Sequence, residues 1–328
     1  MVLGSRADAT LAKYRIPLIK MMLWLALRGL RLSPPSAPDV GRYLAFIIID
    51  RRNKSAVVVA VHALAFISWL NSWGPISSSP HCALPVSAAV RAFSGPTKKA
   101  APLESRHVAA IVKACCRADS PDHDFMFGTA LITCFMLLCR DDDLKRLCFE
   151  PDRFEVFQSH VRFYLEMRKT DKNYSGEWID IAAVAPTAAS FDISCYDLVL
   201  AMRARVGGVG PLLRRVYKRN GTHLAPPFVV EGKGKRNLPV GAPLYMARQA
   251  FVVLLRQHLV SACGLTVDEA IFFSGHSPRA GGATELVKQK VPDHIIQTLA
   301  GTVGADWIKT YDQIDLARRL AASATLGF

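Results

Sequence analysis

The sequence predicts a mainly α-helical protein of two domains, with a small antiparallel β-sheet in the second. Three observations carry this. The chain has 328 residues, about twice the usual size of a single domain. Its apolar residues recur mostly at helical spacing. Between 154 and 182, three short segments rich in β-branched and aromatic residues are divided by polar turns. With 51% hydrophobic and 21% charged residues, the chain has enough apolar surface to bury a core in each domain, which excludes intrinsic disorder.

Thr10 to Leu30 places Leu11, Ile16, Leu18, Ile19, Leu23, Leu25 and Leu27 at helical intervals, and Pro34, Pro35 and Pro38 end the run. A second helix follows from Asp39 and a third from Ser55, which together make a small helical bundle. Ser94 to Leu103 is polar, basic and bracketed by prolines, the best linker in the sequence. The expected division is a helical domain over 1–95, a linker over 96–103 and a second domain over 104–328. A new helical pattern starts near Ser105, and an apolar run from Phe125 to Cys139 stops abruptly at Arg140 and three aspartates. Phe154 to Gln158, Val161 to Met167 and Glu177 to Ala182 form the expected sheet. Helices resume near Ser194, and a basic Gly/Pro-rich stretch from Lys218 to Pro243 interrupts them.

The mean hydropathy of +0.19 raises a membrane reading, since Ser55 to Val90 has no Lys, Arg, Asp or Glu. Its apolar core, Val57 to Leu70, is about 14 residues, short of the roughly 20 that a bilayer requires. Two such short runs in a basic, helical chain read better as buried core helices, and no membrane association is expected. The net charge of +14 points to a polyanion. Residues 1–95 hold eleven Lys/Arg against three acids, a net +8, so the N-terminal third is the more electropositive. The eight cysteines form no Cys-x-x-Cys pair and follow no secretory signal, so reduced core thiols in an intracellular protein are expected, and no metal site.

Four features of the second half occur in a fixed order. Arg140 leaves the end of an apolar helix, a rigid seat for an exposed guanidinium that suits an anion. Lys169, in Met-Arg-Lys-Thr-Asp, ends the second predicted strand, where a turn can project its ammonium into a cleft. His276 and Arg279 are three apart in Ser274-Gly-His-Ser-Pro-Arg-Ala-Gly-Gly-Ala-Thr284. If Ser277 or Pro278 opens a helix, both side chains share its positively polarised end. Tyr311 stands 32 residues past Arg279 in Trp307-Ile-Lys-Thr-Tyr-Asp312, where a helix could deliver it to a phosphate as nucleophile.

Together these residues resemble the tyrosine recombinase (phage-integrase) family, in a compact, Cre-like two-domain layout over about Thr10 to Arg319. Phe273 to Thr284 is the most specific match, and its wording, like that of Arg318 to Phe328, is similar to recombinases of eukaryotic mobile elements. The resemblance implies a helical core-binding domain followed by an α+β catalytic domain. It implies that Arg140 is the first catalytic arginine, Asp143 its supporting acid, Lys169 the hairpin lysine with Lys172 as fallback, His276 and Arg279 the His-x-x-Arg pair, and Tyr311 the nucleophile. One position departs: nine residues before Tyr311 the family has His or Trp, and here Thr302 stands. Its hydroxyl can bond a phosphate but lacks the ring that buttresses the tyrosine, which leaves open a chain that binds DNA without cutting it.

The implied chemistry is strand exchange through a 3′-phosphotyrosyl link, with Lys169 as general acid and His276 handling the tyrosine proton. The implied partners are double-stranded DNA and three further copies of the chain on paired sites. No cofactor is required, and the expected location is intracellular and DNA-associated, the nucleus in a eukaryote. Candidate DNA contacts are Arg51, Arg52, Lys54, Lys98, Lys99, Arg214, Arg215, Lys233, Lys235 and Arg236.

Overall fold

In a computed structural model of the chain, the residues described are 8–93, 100–166, 168, 175–185, 190–217, 223–229, 241–301, 320, 321 and 323–326. The chain divides into two compact units, Met1–Lys98 and Lys99–Phe328.

The first unit is built from α1 (Asp8–Ala26), α2 (Ala37–Arg51), α3 (Lys54–Leu70) and α4 (Pro80–Phe93). Ser36 caps α2 by accepting from the Asp39 amide, and Asn53 caps α3 by accepting from Ser55, which satisfies amides that the helices leave free. Met21, Leu25, Val40, Tyr43, Leu44, Val57 and Leu64 form the core. Gly41 lets α2 and α4 touch, since a Cβ there would lie 2.6 Å from the His81 carbonyl oxygen. The fourth helix is not marked by apolar spacing. Pro80 opens it, where a missing N–H costs nothing, and Pro85 lies inside it. Among the described residues, no helix is long and apolar enough to cross a membrane, and the apolar run of α3 instead supplies Val57, Ala60, Ala63 and Leu64 to the core.

The second unit is organised around one buried helix. After α5 (Ser105–Cys115), α6 (Asp122–Met136) buries every residue from Phe125 to Met136. Such a helix is apolar on all sides because it is packed on all sides. Helices α5, α8 (Cys195–Arg205) and α11 (Ser277–Lys288) lie against it. The one-turn α7 (Asp141–Leu144) leads to the sheet, β1 (Phe154–Val156), β2 (His160–Leu165) and β3 (Glu177–Ala182), antiparallel in the order β1-β2-β3. Phe154 faces Phe163, and Phe163 faces Ile179. The strands fall on the three β-rich segments read from the sequence, with the first two ending earlier. A two-residue hairpin, β4 (Val216–Tyr217) with β5 (His223–Leu224), precedes α9 (Arg248–Cys263), α10 (Val267–Ala270) and, after α11, α12 (Asp293–Ala300).

Residues 101–103, read from the sequence as linker, belong to this unit. The Ala101 amide donates to Phe272 at 3.0 Å, the Leu103 amide to Ser277 at 3.0 Å, and the Leu103 side chain is fully buried. Residues 96–99 of that linker lie outside the described residues.

The two glycines after Ala280 explain part of the most specific motif. A Cβ on Gly281 would fall on the Leu103 carbonyl and one on Gly282 on the Phe135 carbonyl, so α11 approaches α6 and residue 103 only because both side chains are absent. Gly282→Ala is therefore expected to cost about 1–3 kcal/mol through overpacking, read as a lowered thermal midpoint.

Candidate functional site

The site grows from the end of α6. Leu138 is fully buried and left-handed, with φ of +48°, a conformation that costs a non-glycine residue about 1–3 kcal/mol unless its surroundings enforce it. Here the enforcing bond comes from the next helix in the site, where Arg279 Nη1 donates to the Leu138 carbonyl at 2.7 Å. The reversal delivers Arg140 as the N-cap residue of α7. Its backbone amide donates to Asp143 Oδ2 at 3.0 Å, and its guanidinium Nη1 stands 3.9 Å from the same oxygen. Asp143 is buried, and Arg140 Nη1 is buried with no hydrogen-bond partner among the described residues.

Arg279 sits in the first turn of α11 with Pro278 at the helix start, as the motif predicts. Burial, then the charges of Arg140 and Arg168, push its pKa down to about 10, with Asp143 opposing. Three guanidiniums thus share a site with one buried carboxylate. The electrostatic cost of charging Arg279 is therefore fully present below about pH 10 and is relieved only as pH rises through that value.

His276 is the N-cap residue of α11, and its exposed ring accepts at Nδ1 from Arg248 Nη2 at 3.1 Å. A guanidinium only donates, so the ring proton of the neutral imidazole belongs on Nε2. Arg248→Leu is expected to abolish that preference, measured as the Nδ1 and Nε2 nitrogen shifts of His276 at a pH where the ring is neutral. The turn below the ring is locked by Ser277 Oγ, which accepts from the Ser274 amide at 2.9 Å.

The structure therefore brings Arg140, Asp143 and Arg279 together and sets His276 one turn away on α11. Lys169 and its fallback Lys172, Thr302 and Tyr311 lie outside the described residues, as do Lys98, Lys99, Lys233, Lys235 and Arg236. Of the other basic candidates, Arg51, Arg52 and Arg215 are exposed, with Arg51 beside Asp50 at 2.8 Å. Lys54 is half-buried at the first turn of α3. Arg214 is corrected. It is 6% exposed, and its Nη2 donates inward to the carbonyls of Val206 and Val209, so it braces the Gly207–Gly210 turn instead of standing as a solvated charge. Sequence reasoning missed Arg168 and Arg248. Arg168 stands beside Lys169, but only its burial at 3% sets it apart from a solvated charge.

No protein-family model matches the sequence, and no curated protein matches it. Among solved structures, a lambda integrase (75–356) dimer bound to a COC′ core site is similar over 95% of this chain and 93% of that one, with 18% identity and a TM-score of 0.51. A second lambda integrase dimer on a COC′ core site is similar over 93% of this chain and 72% of that one, at 16% identity and a TM-score of 0.50. The fold is that of the tyrosine recombinases. In the tyrosine-recombinase fold of this chain, the mainly helical second unit carries the three-stranded sheet and the arginine cluster just described.

Proposed function

We propose that the chain is a DNA strand-exchange enzyme of the tyrosine recombinase type, working as a homotetramer on paired double-stranded sites. Its first unit would be the core-binding domain and its second the catalytic domain. One observation carries the reading: the Arg140 and Arg279 guanidiniums converge beside a single buried carboxylate, leaving an excess of positive charge that a phosphodiester neutralises. Planar guanidiniums can meet the nonbridging oxygens with paired hydrogen bonds.

In the step proposed, Tyr311 Oη forms a bond to the scissile phosphorus while the bond from phosphorus to the 5′-oxygen breaks. The 5′-oxygen takes a proton from the Lys169 ammonium, and water takes the phenol proton. The tautomer set by Arg248 gives His276 an Nε2–H to donate to a nonbridging oxygen. This replaces the proton-acceptor role that the resemblance implies for it. Reversal by another 5′-hydroxyl rejoins the strands, and the phosphotyrosyl link conserves the bond energy.

The test is a nicked duplex from which the cleaved strand diffuses away. Wild type is expected to accumulate an SDS-stable adduct with it. A second reading, favoured by Thr302, is a DNA-binding protein that does not cut. It predicts no adduct, together with binding that weakens by about 0.9 log units per log unit of salt for each phosphate contacted. Cleavage gained in Thr302→His would then locate the defect.

A further inference from the structure

Lys145 and Asp142 form an ion pair whose two halves differ. Lys145 Nζ donates to Asp142 Oδ1 at 2.7 Å, yet the lysine side chain is 16% exposed and the aspartate side chain 69% exposed. The ammonium also stands over the Tyr245 ring, 5.7 Å from its centroid, where the ring face attracts a cation. The cation is therefore part of the packed structure, and the anion that covers it projects into solvent. Lys145 is the C-cap residue of α7, the short helix that Arg140 caps at its other end.

Other cations face the same carboxylate. The hydrogen bond from Lys145 holds the Asp142 carboxyl below its usual range; partial burial opposes this, and the charges of Lys145, Arg248 and Arg146 add to it. Arg248 is the first residue of α9, whose first turn holds no acid, although the positive end of a helix dipole disfavours a cation there. Its guanidinium reaches the His276 ring at 3.1 Å. The Lys145–Asp142 pair is thus joined through Arg248 to the candidate site.

We infer that Lys145 contacts a DNA phosphate flanking the one proposed to react, and that Asp142 is the internal counterion it gives up on binding. The inference rests on the reading of the chain as a DNA-binding recombinase, and the experiment separates the two. An exposed ion pair contributes little to a fold, and a carboxylate and a phosphodiester each carry one negative charge. Exchange of one for the other is therefore nearly balanced at Lys145, and release of the cations condensed on DNA tips it toward the phosphate.

The test is binding to a duplex of arbitrary sequence, since phosphate contacts carry no sequence information, titrated between about 50 and 200 mM salt. Asp142→Asn is expected to bind about fivefold more tightly, the equivalent of a surface ion pair at the upper end of its strength. Asp119→Asn removes the same charge from an exposed turn after α5 and should stay within about twofold of wild type, because salt screens a charge away from the contact. Lys145→Met keeps the mostly buried stem and removes the charge. It should lower the slope of log affinity against log salt by about 0.9, and in its background Asp142→Asn should no longer tighten binding. Asp142→Asn against Asp119→Asn decides the matter if Lys145→Met does not fold. A gain from Asp142→Asn no larger than that from Asp119→Asn, or an unchanged slope in folded Lys145→Met, would overturn the inference. A gain that persists in full without Lys145 would overturn it too, because the carboxylate would then act on DNA directly and not through the lysine. A wild type that binds duplex with no dependence on salt, or not at all, would overturn the DNA-binding reading and the inference with it.

Discussion

Arg279→Gln is expected to lose both cleavage and stability, whereas Arg140→Gln should lose cleavage and keep most of its stability. The two arginines serve the same phosphate in the proposed reaction, so removal of either should slow adduct formation by about 10²–10³-fold, the cost of one preorganised donor to developing charge. Their roles in the fold differ. Arg279 Nη1 bonds the buried Leu138 carbonyl at 2.7 Å and holds the left-handed residue that delivers Arg140. Its loss strands that acceptor, at about 1–3 kcal/mol. The bond that Arg140 contributes to the fold, at 3.0 Å to Asp143, comes from its backbone amide and survives substitution. Its guanidinium also pushes the Arg279 pKa down, so its removal lifts part of that burden. Rates from quenched adduct assays and midpoints from thermal melts, taken on the same preparations, separate the two effects. Equal destabilisation by both substitutions would refute this division.

Tyr311→Phe is expected to show the largest effect of all, complete loss of covalent product with DNA affinity unchanged. In the proposed reaction the phenol oxygen is the atom that joins phosphorus, and no rearrangement of Arg140, Arg279 or His276 supplies another nucleophile. In the proposed complex, DNA affinity would come from phosphate contacts elsewhere on a chain of net charge +14 and would not depend on that atom. A titration of binding alongside the adduct assay distinguishes loss of chemistry from loss of fold.

Much of this was legible in the sequence. The apolar run that stops at Arg140 is the fully buried α6, and its abrupt end is the reversal that seats the arginine. Pro278 marks the start of α11 because proline suits a first helical turn, and the three β-rich segments between 154 and 182 form the expected small antiparallel sheet. What escaped has physical reasons. Helix α4 holds two prolines and few large apolar residues, so no period announces it. Arg168 finds its carbonyl partners about 130 residues away and Arg248 finds His276 28 residues away, distances at which local spacing carries no information. Arg214 was misread because it opens a basic run that includes Arg215 and Lys218. Whether an arginine in such a run faces water or braces a turn depends on carbonyls that only the folded chain assembles.

The proposed phosphoryl transfer runs through a tyrosine near the C-terminal end of the chain. The most direct measurement is to trap the adduct on a nicked duplex, digest protein and DNA, and identify the modified peptide by mass spectrometry. A nucleotide phosphate is expected on the peptide containing Tyr311, and none from Tyr311→Phe. A phosphate on any other residue, or an adduct that persists in Tyr311→Phe, would contradict it.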